Sequence, residues 1–206
     1  MMRLLVATHN KGKLSELESL LADLNLTLLT PDSLRINLEV MENGTTYEEN
    51  ASLKARAYAR ISGLVTLADD SGLEVEALGG LPGIRSARFS TLPNATDADR
   101  RSYLLSLLRD YPRPWTAHFH CTVAIASPGG EIYYAQGDCP GEVIPHERGT
   151  NGFGYDPIFL LNEIGLTMAE LSMEEKNHLS HRARAVKAAQ PILLNIFHRS
   201  SNHQLY

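Results

Sequence analysis

Asp69 and Asp70 stand side by side after an apolar run, Leu64-Val65-Thr66-Leu67-Ala68, and before Ser71-Gly72. The apolar run reads as a short buried strand. A strand alternates its side chains, so the two aspartates point to different faces or straddle the strand's end. Adjacent ionised carboxylates repel unless a cation or hydrogen-bond donors offset them. A divalent metal does so, and magnesium prefers carboxylate oxygen. A polar strand-to-turn exit, capped by Asp and Ser and bent by Gly, explains the same residues.

Four further stretches can carry chemistry. Thr8-His9-Asn10-Lys11-Gly12-Lys13 lies between an apolar run and a leucine-spaced segment. A glycine-containing loop entering a helix presents free backbone N–H groups at the positive end of the helix dipole. Lys11 and Lys13 add charge, which suits a phosphate chain. The glycine spacing and Lys-Ser/Thr pair of a Walker A loop are missing, and a capped helix start with exposed lysines fits equally. Glu42, before Asn43-Gly44, is by itself an ordinary loop acid. With the aspartates it can bind a polyphosphate through magnesium, and a carboxylate can orient and deprotonate water. Asn151-Gly152-Phe153-Gly154-Tyr155-Asp156-Pro157 sets aromatics among glycines, which lets a flat base stack against the loop. Such aromatics also serve as core plugs, the stronger reading for Phe159. Lys176 and Ser180-His181-Arg182 mark a helix start whose His and Arg can donate to carbonyl or phosphate oxygen, or a solvated basic helix.

The elements that must hold these residues follow from periodicity. Leu4-Leu5-Val6-Ala7 reads as a buried first strand, and Lys11–Leu24 as a helix with Leu14, Leu17, Leu21 and Leu24 on one face. Leu26–Leu29 is a second strand. Thr46-x-x-Glu49 is a capping box that opens a helix to about Ser62, with Ala51, Ala55, Tyr58 and Ala59 inward, Lys54 solvated and Gly63 as the stop. Thr96-x-x-Asp99 caps a third helix. Phe119, Cys121, Val123 and Ile125 alternate as a strand, and Glu131–Gln136 returns antiparallel after Ser127-Pro128-Gly129-Gly130. Ser172-x-x-Glu175 is another capping box, and a last helix runs from about Ser180 to Phe197, kinked or restarted at Pro191. The class is mixed α/β with a central sheet that is not purely parallel.

The length of 206 residues suits a single domain over 1–206. A net charge of -5 argues against a protein that binds nucleic acid through a basic surface. Cys121 and Cys139 are the only two thiols, so no disulfide framework is implied. No run is long enough for a membrane span, and the apolar run after Met1-Met2-Arg3 is too short for a signal peptide. A soluble, cytoplasmic protein without nucleic-acid or membrane partners is expected.

Taken together, these segments resemble the inosine-triphosphate pyrophosphatase family, in particular its bacterial non-standard purine nucleotide pyrophosphatases. The matching stretches are Ala7–Lys13, Glu42-Asn43-Gly44 with Glu49-Asn50-Ala51 and Lys54-Ala55, Ala68–Leu73, Gly80–Gly83 with Ser86-Ala87-Arg88, Gly152–Pro157 and Ser180-His181-Arg182. They come in the family's order. The resemblance implies an elongated central mixed β-sheet flanked by helices, in two lobes with a cleft between them, and a homodimer. It implies magnesium-dependent hydrolysis of ITP, dITP and XTP to the monophosphate and pyrophosphate, which cleans the nucleotide pool. By position, Thr8, His9, Asn10, Lys11, Gly12 and Lys13 match the triphosphate loop. Glu42 and Asp70 match the metal carboxylates, Asp70 the proton acceptor and Ser71 a substrate contact. Phe153, Gly154, Tyr155, Asp156, Lys176, His181 and Arg182 match the base and sugar pocket. There, His181, Arg182 or a backbone N–H near Tyr155 would pair with the 6-keto group of the purine. His9 varies in relatives and is given no catalytic role. A pyrophosphatase for pyrimidine or modified nucleotides and a nucleotide sensor without turnover are the competing readings.

Overall fold

Alternation along the first and third strands decides which helices cover which face of the sheet. The computed structural model describes residues 2–202; Met1 and residues 203–206, which the single-domain reading includes, lie outside them. The elements run β1 (Met2–Val6), α1 (Lys11–Leu21), β2 (Leu26–Leu29), α2 (Tyr47–Ser62), β3 (Val65–Val75), α3 (Asp97–Leu108), β4 (Trp115–Ala126), β5 (Ile132–Val143), β6 (Phe159–Leu161), β7 (Leu166–Thr167), α4 (Met173–Leu179) and α5 (His181–Asn202). Short 3-10 turns cover Glu76–Leu78, Gly83–Arg88 and Asp156–Ile158. The strands form one sheet in the order β2-β1-β3-β4-β5-β6-β7. β1 lies parallel to both β2 and β3, whereas β6 runs antiparallel to β5 and β7. The sheet is therefore mixed, as expected.

The chain forms two compact units. The first is built from the chain up to Asp70, from Cys121–Gly137 and from Arg182 onward. Its part of the sheet is buried on both faces. Leu4, Val6 and Leu67 pack with Leu17 and Leu21 of α1 and with Val186, Ala189 and Leu193 of α5. The alternate residues Leu5, Ala7 and Ala68 pack with Ala51, Ala55, Tyr58 and Ala59 of α2. This two-sided burial is why β1 reads as an unbroken apolar run. The second unit comprises Ser71–His120 and Asp138–His181. Its core joins Leu73 and Val75 to Leu104 and Leu108 of α3 and to Phe119, Tyr155 and Phe159.

Several boundaries differ from those read in the sequence. β3 does not end at Ala68 but continues through both aspartates to Val75, so the polar strand-to-turn exit is excluded. α1 stops at Leu21, and Asn25 then turns the chain with φ of 33°. Leu24 still packs on the core from beyond the helix. At Thr46 the hydroxyl accepts from Glu49 N, and the Glu49 carboxylate takes the Thr45 N–H and hydroxyl more strongly than the Thr46 N–H. The boxes at Thr96 and Ser172 are complete. β5 is 12 residues long and reaches Val143, well past Gln136. α5 runs through Pro191 without a break. Pro191 is exposed, so the carbonyl freed by its missing N–H can bond water.

Leu17 is fully buried between β1 and α5. Its replacement by alanine is expected to lower stability by about 2–5 kcal/mol. Urea denaturation checks this, and a loss under about 1 kcal/mol would show that the layer can collapse around the gap.

Candidate active site

The alternation that places Leu67 against α1 and α5, and Ala68 against α2, carries on into the two aspartates. Asp69 faces the α1–α5 layer. Its Oδ2 lies 3.0 Å from Lys13 Nζ and 3.1 Å from Arg182 Nε. Arg182 also donates from Nη1 to Glu16 Oε2. Arg182 is 1% exposed and both acids are 2% exposed, so these charges meet away from water. Burial alone would raise the Asp69 carboxyl, but the Lys13 and Arg182 cations outweigh it and hold the group well below the usual carboxylate range. Asp69 Oδ1 is buried and accepts no hydrogen bond among the described residues. The neighbouring Cys121 thiol is pushed up to about 12 by burial and by Asp69, which keeps it protonated and unreactive.

Lys13 reaches Asp69 because α1 begins where it does. Asn10 caps the helix, its Oδ1 accepting from Lys13 N at 3.0 Å, and Thr8 Oγ1 accepts from Asn10 N at 3.2 Å. The first turn of α1 thus leaves other backbone N–H groups and the exposed Lys11 at the positive helix end. His9 turns aside, its Nε2 2.8 Å from Tyr58 Oη, while Tyr58 donates to Leu38 O at 2.6 Å.

Asp70 faces α2. Asn50 Nδ2 donates to its Oδ2 at 3.0 Å, and Asn50 Oδ1 accepts from Gly44 N at 2.9 Å. Asn50 thereby ties the Glu42–Gly44 loop to the strand. Gly44 is required there: a Cβ would lie 2.7 Å from Glu49 Cβ and 2.8 Å from Asn50 Oδ1. Glu42 Oε2 pairs with Lys54 Nζ at 3.0 Å. Lys54 is therefore not the solvated residue expected from the helix pattern, because Glu42 draws it inward. The Asp70 carboxyl is raised by burial, with Glu42 adding to the rise; Lys54, Lys13 and the Asn50 hydrogen bond oppose it. A carboxylate raised in this way holds a proton better and is a better general base near neutral pH.

In the second unit, Asp156 organises the glycine-rich loop. Its Oδ2 accepts from Phe153 N at 2.9 Å and from Lys176 Nζ at 2.5 Å. Lys176 Nζ also lies 5.0 Å from the Phe153 ring centroid, a favourable cation–π placement. Gly152 has φ of +72°, and a Cβ there would meet Asp156 Oδ2 at 2.1 Å. Tyr155 is buried, and its hydroxyl donates to Ser86 O at 3.0 Å, so its ring is a core element while its backbone belongs to the loop. Phe159 is fully buried, as its core reading requires. His181 stacks on Phe119 at 4.6 Å and 13°. Ser71 is half-buried on β3.

Arg182, expected in the base pocket, also has buried acidic partners that the sequence did not indicate. Its guanidinium is committed to Glu16 and Asp69 through Nη1 and Nε. Sequence reasoning gave no role to Glu16, Asn50 or Lys54. An acid on the buried face of the leucine-lined α1 was the available signal for Glu16. Asn50 and Lys54 follow the Thr46 cap on the same helix face at i, i+4, where a polar pair facing the core calls for a partner.

Removing Arg182 would take the guanidinium from buried Glu16 and leave Asp69 only Lys13 as a close cation. Arg182→Ala should cost about 3–5 kcal/mol in urea denaturation at pH 7. The pH dependence follows from the depressed Asp69 carboxyl. A folded-state value below the unfolded value, about 3.9, gives stability that is present above pH ~4 and lost as pH falls. The wild type should therefore lose stability on acidification more steeply than Arg182→Ala. Parallel curves would count against the pairing.

The Ham1 family model matches residues 4–192. A Geobacter sulfurreducens protein named dITP/XTP pyrophosphatase is 51% identical over 187 residues, which cover 90% of this chain and 94% of that protein. A Desulforamulus reducens protein of the same name is 45% identical over 197 residues, covering 95% of this chain and 98% of its own. The solved structure of a HAM1 protein from Coxiella burnetii matches with a TM-score of 0.85 at 37% identity, over 95% of this chain and 100% of that one.

Proposed function

This chain belongs to the Ham1 family, and we propose that it hydrolyses non-standard purine nucleoside triphosphates, dITP, XTP and ITP, to the monophosphate and pyrophosphate. The observation that carries this reading is the division between the adjacent aspartates. Asp69 is spent on holding Lys13, while Asp70 is buried, raised and held by Asn50 of α2.

The triphosphate is assigned to the α1 start, where backbone N–H groups, Lys11 and Lys13 offer donors and positive charge. Water attacks the α-phosphorus, forming a new P–O bond, and its proton passes to the Asp70 carboxylate. The bond from the α-phosphorus to the bridging oxygen breaks, and pyrophosphate leaves with the electron pair. Such a displacement asks mainly for positioning and charge neutralisation. Asn50 holds Asp70 for this task, and Arg182 acts one step back, fixing Asp69 and through it Lys13.

The acidic pair fits a magnesium ion. Glu42 adds to the rise of the Asp70 carboxyl, so the two groups are near enough to repel when both are ionised, and magnesium is commonly held by one or two carboxylates plus substrate phosphates. Glu42 and Asp70 would hold it, and it would neutralise phosphate charge and polarise the reacting phosphoryl group. The purine ring is assigned to the Phe153–Asp156 loop with Lys176 and His181. A donor there pairs with a 6-keto group and is left unmatched by adenine, and an unmatched buried donor discriminates by up to about 10⁴–10⁵-fold in a site built for it. No helix among the described residues is long and apolar enough to cross a membrane. We place the activity in the cytoplasmic nucleotide pool, carried out by a homodimer.

A panel of nucleoside triphosphates with magnesium, scored for pyrophosphate against phosphate, tests the reading. Pyrophosphate from dITP, XTP and ITP, with little from ATP, is expected. Phosphate as the product, or binding without turnover, would overturn it. Asp70→Asn should lose about 10²–10⁴-fold in kcat. The same variant should also melt at a higher temperature in the absence of metal, because it removes a carboxylate whose ionisation opposes folding at neutral pH.

A further inference from the structure

The glycine-rich loop is gripped from outside as well as by Asp156. Gly154 gives both of its backbone polar groups to side chains of α3. Its N–H donates to Asp97 Oδ2 at 2.8 Å, and its carbonyl accepts from Arg101 Nη1 at 2.8 Å. Asp97 and Arg101 are one turn apart, so they share a face of the helix. Arg101 also bonds both oxygens of Glu147, from Nε at 2.7 Å and Nη2 at 3.0 Å, which ties down the chain just ahead of the loop. Gly154 itself has φ of +62°, a conformation that side-chain contacts of its own cannot enforce.

From this geometry we infer that Asp97 and Arg101 are positioning residues for base recognition: they hold the Gly152–Gly154 segment so that Phe153 is presented to the purine in a fixed pose. The inference rests on the proposed purine site. Asp97 is kept ionised for the task. Burial opposes its ionisation, but the Arg100 hydrogen bond, the Gly154 N–H and the charges of Arg100 and Arg101 outweigh burial and lower its carboxyl. The complete capping box at Thr96 and Asp99 fixes the start of α3 and so the position of Asp97. The loop is thus held from two sides, by Asp156 within it and by α3 outside it. Glycines at 149, 152 and 154, all with positive φ, would otherwise leave it free to sample other conformations. Losing the outer grip lowers the fraction of molecules whose loop is ready for the base. Affinity falls by that fraction while the chemistry of bound nucleotide is unchanged.

The test combines steady-state kinetics on ITP with amide hydrogen exchange over residues 150–156 measured without nucleotide. Asp97→Ala and Arg101→Ala should each raise KM for ITP about tenfold, corresponding to a ready loop in about a tenth of molecules, with kcat within about twofold. Exchange in the loop should rise. Asp97→Asn keeps an acceptor for the Gly154 N–H but loses the charge, and its KM should fall between those of wild type and Asp97→Ala. Arg101→Lys keeps one donor and should fall between wild type and Arg101→Ala. Ser106→Ala, an exposed change on α3, should alter neither readout. Unchanged KM and loop exchange in both alanine variants, or a fall in kcat with KM preserved, would overturn the inference. If Asp97→Ala does not fold, the Arg101 pair decides. If the wild type releases no pyrophosphate from ITP, the enzymatic reading fails, and loop exchange still decides whether α3 holds the loop.

Discussion

A strand buried on both faces must send adjacent side chains to opposite layers, and β3 does this with two carboxylates. The layers differ in kind. One offers Lys13 and Arg182 to Asp69; the other offers Asn50, and near it Glu42 with Lys54, to Asp70. One backbone segment thereby makes an acid that stays ionised and one that holds its proton more readily. Much of the first unit can be understood as the support this arrangement requires: α1 to bring Lys13, α2 to bring Asn50 and Lys54, and the start of α5 to bring Arg182.

The electrostatics explain why so much charge is buried. Glu16, Asp69 and Arg182 form a nearly dry chain ending at Lys13. A buried ion pair is weak evidence for stability, since desolvation offsets most of the attraction. It is good at fixing geometry, because any displacement leaves a charge unpaired. The result is an ammonium group at the helix start that need not be ordered when an anionic ligand arrives. The second unit uses the same device in smaller form: Lys176 and Asp156, both buried, set the backbone of the loop that carries Phe153.

Much of this was legible in the residues. The apolar run of β1, the leucine spacing of α1, the caps at Thr96 and Ser172 and the Gly63 stop all follow from local chemistry, and the structure has them. The prediction that Asp69 and Asp70 diverge needed only strand alternation. What could not be read was where β3 ends, because Asp-Asp-Ser-Gly looks like a turn unless tertiary partners neutralise it. Lys54 looked solvated for a related reason: its Glu42 partner sits in an irregular stretch with no periodicity to place it. Arg182 beside His181 looked like one cluster in sequence, yet consecutive residues at a helix start point in different directions. The α3 grip on Gly154 is long-range in sequence and left no local trace.

The division of labour between the two aspartates can be measured directly by calorimetric titration of an XTP analogue with a non-hydrolysable α,β-methylene bridge at a series of magnesium concentrations, using Asp69→Asn and Asp70→Asn. Separate roles require that Asp69→Asn weaken nucleotide binding while leaving its magnesium dependence intact, since it loosens Lys13 and Arg182 but neither proposed magnesium carboxylate. Asp70→Asn should instead blunt the magnesium dependence and leave the residual, metal-free affinity near that of the wild type. Identical changes in both variants would mean that the two carboxylates act on one ligand together, and that the opposed faces of β3 do not separate their functions.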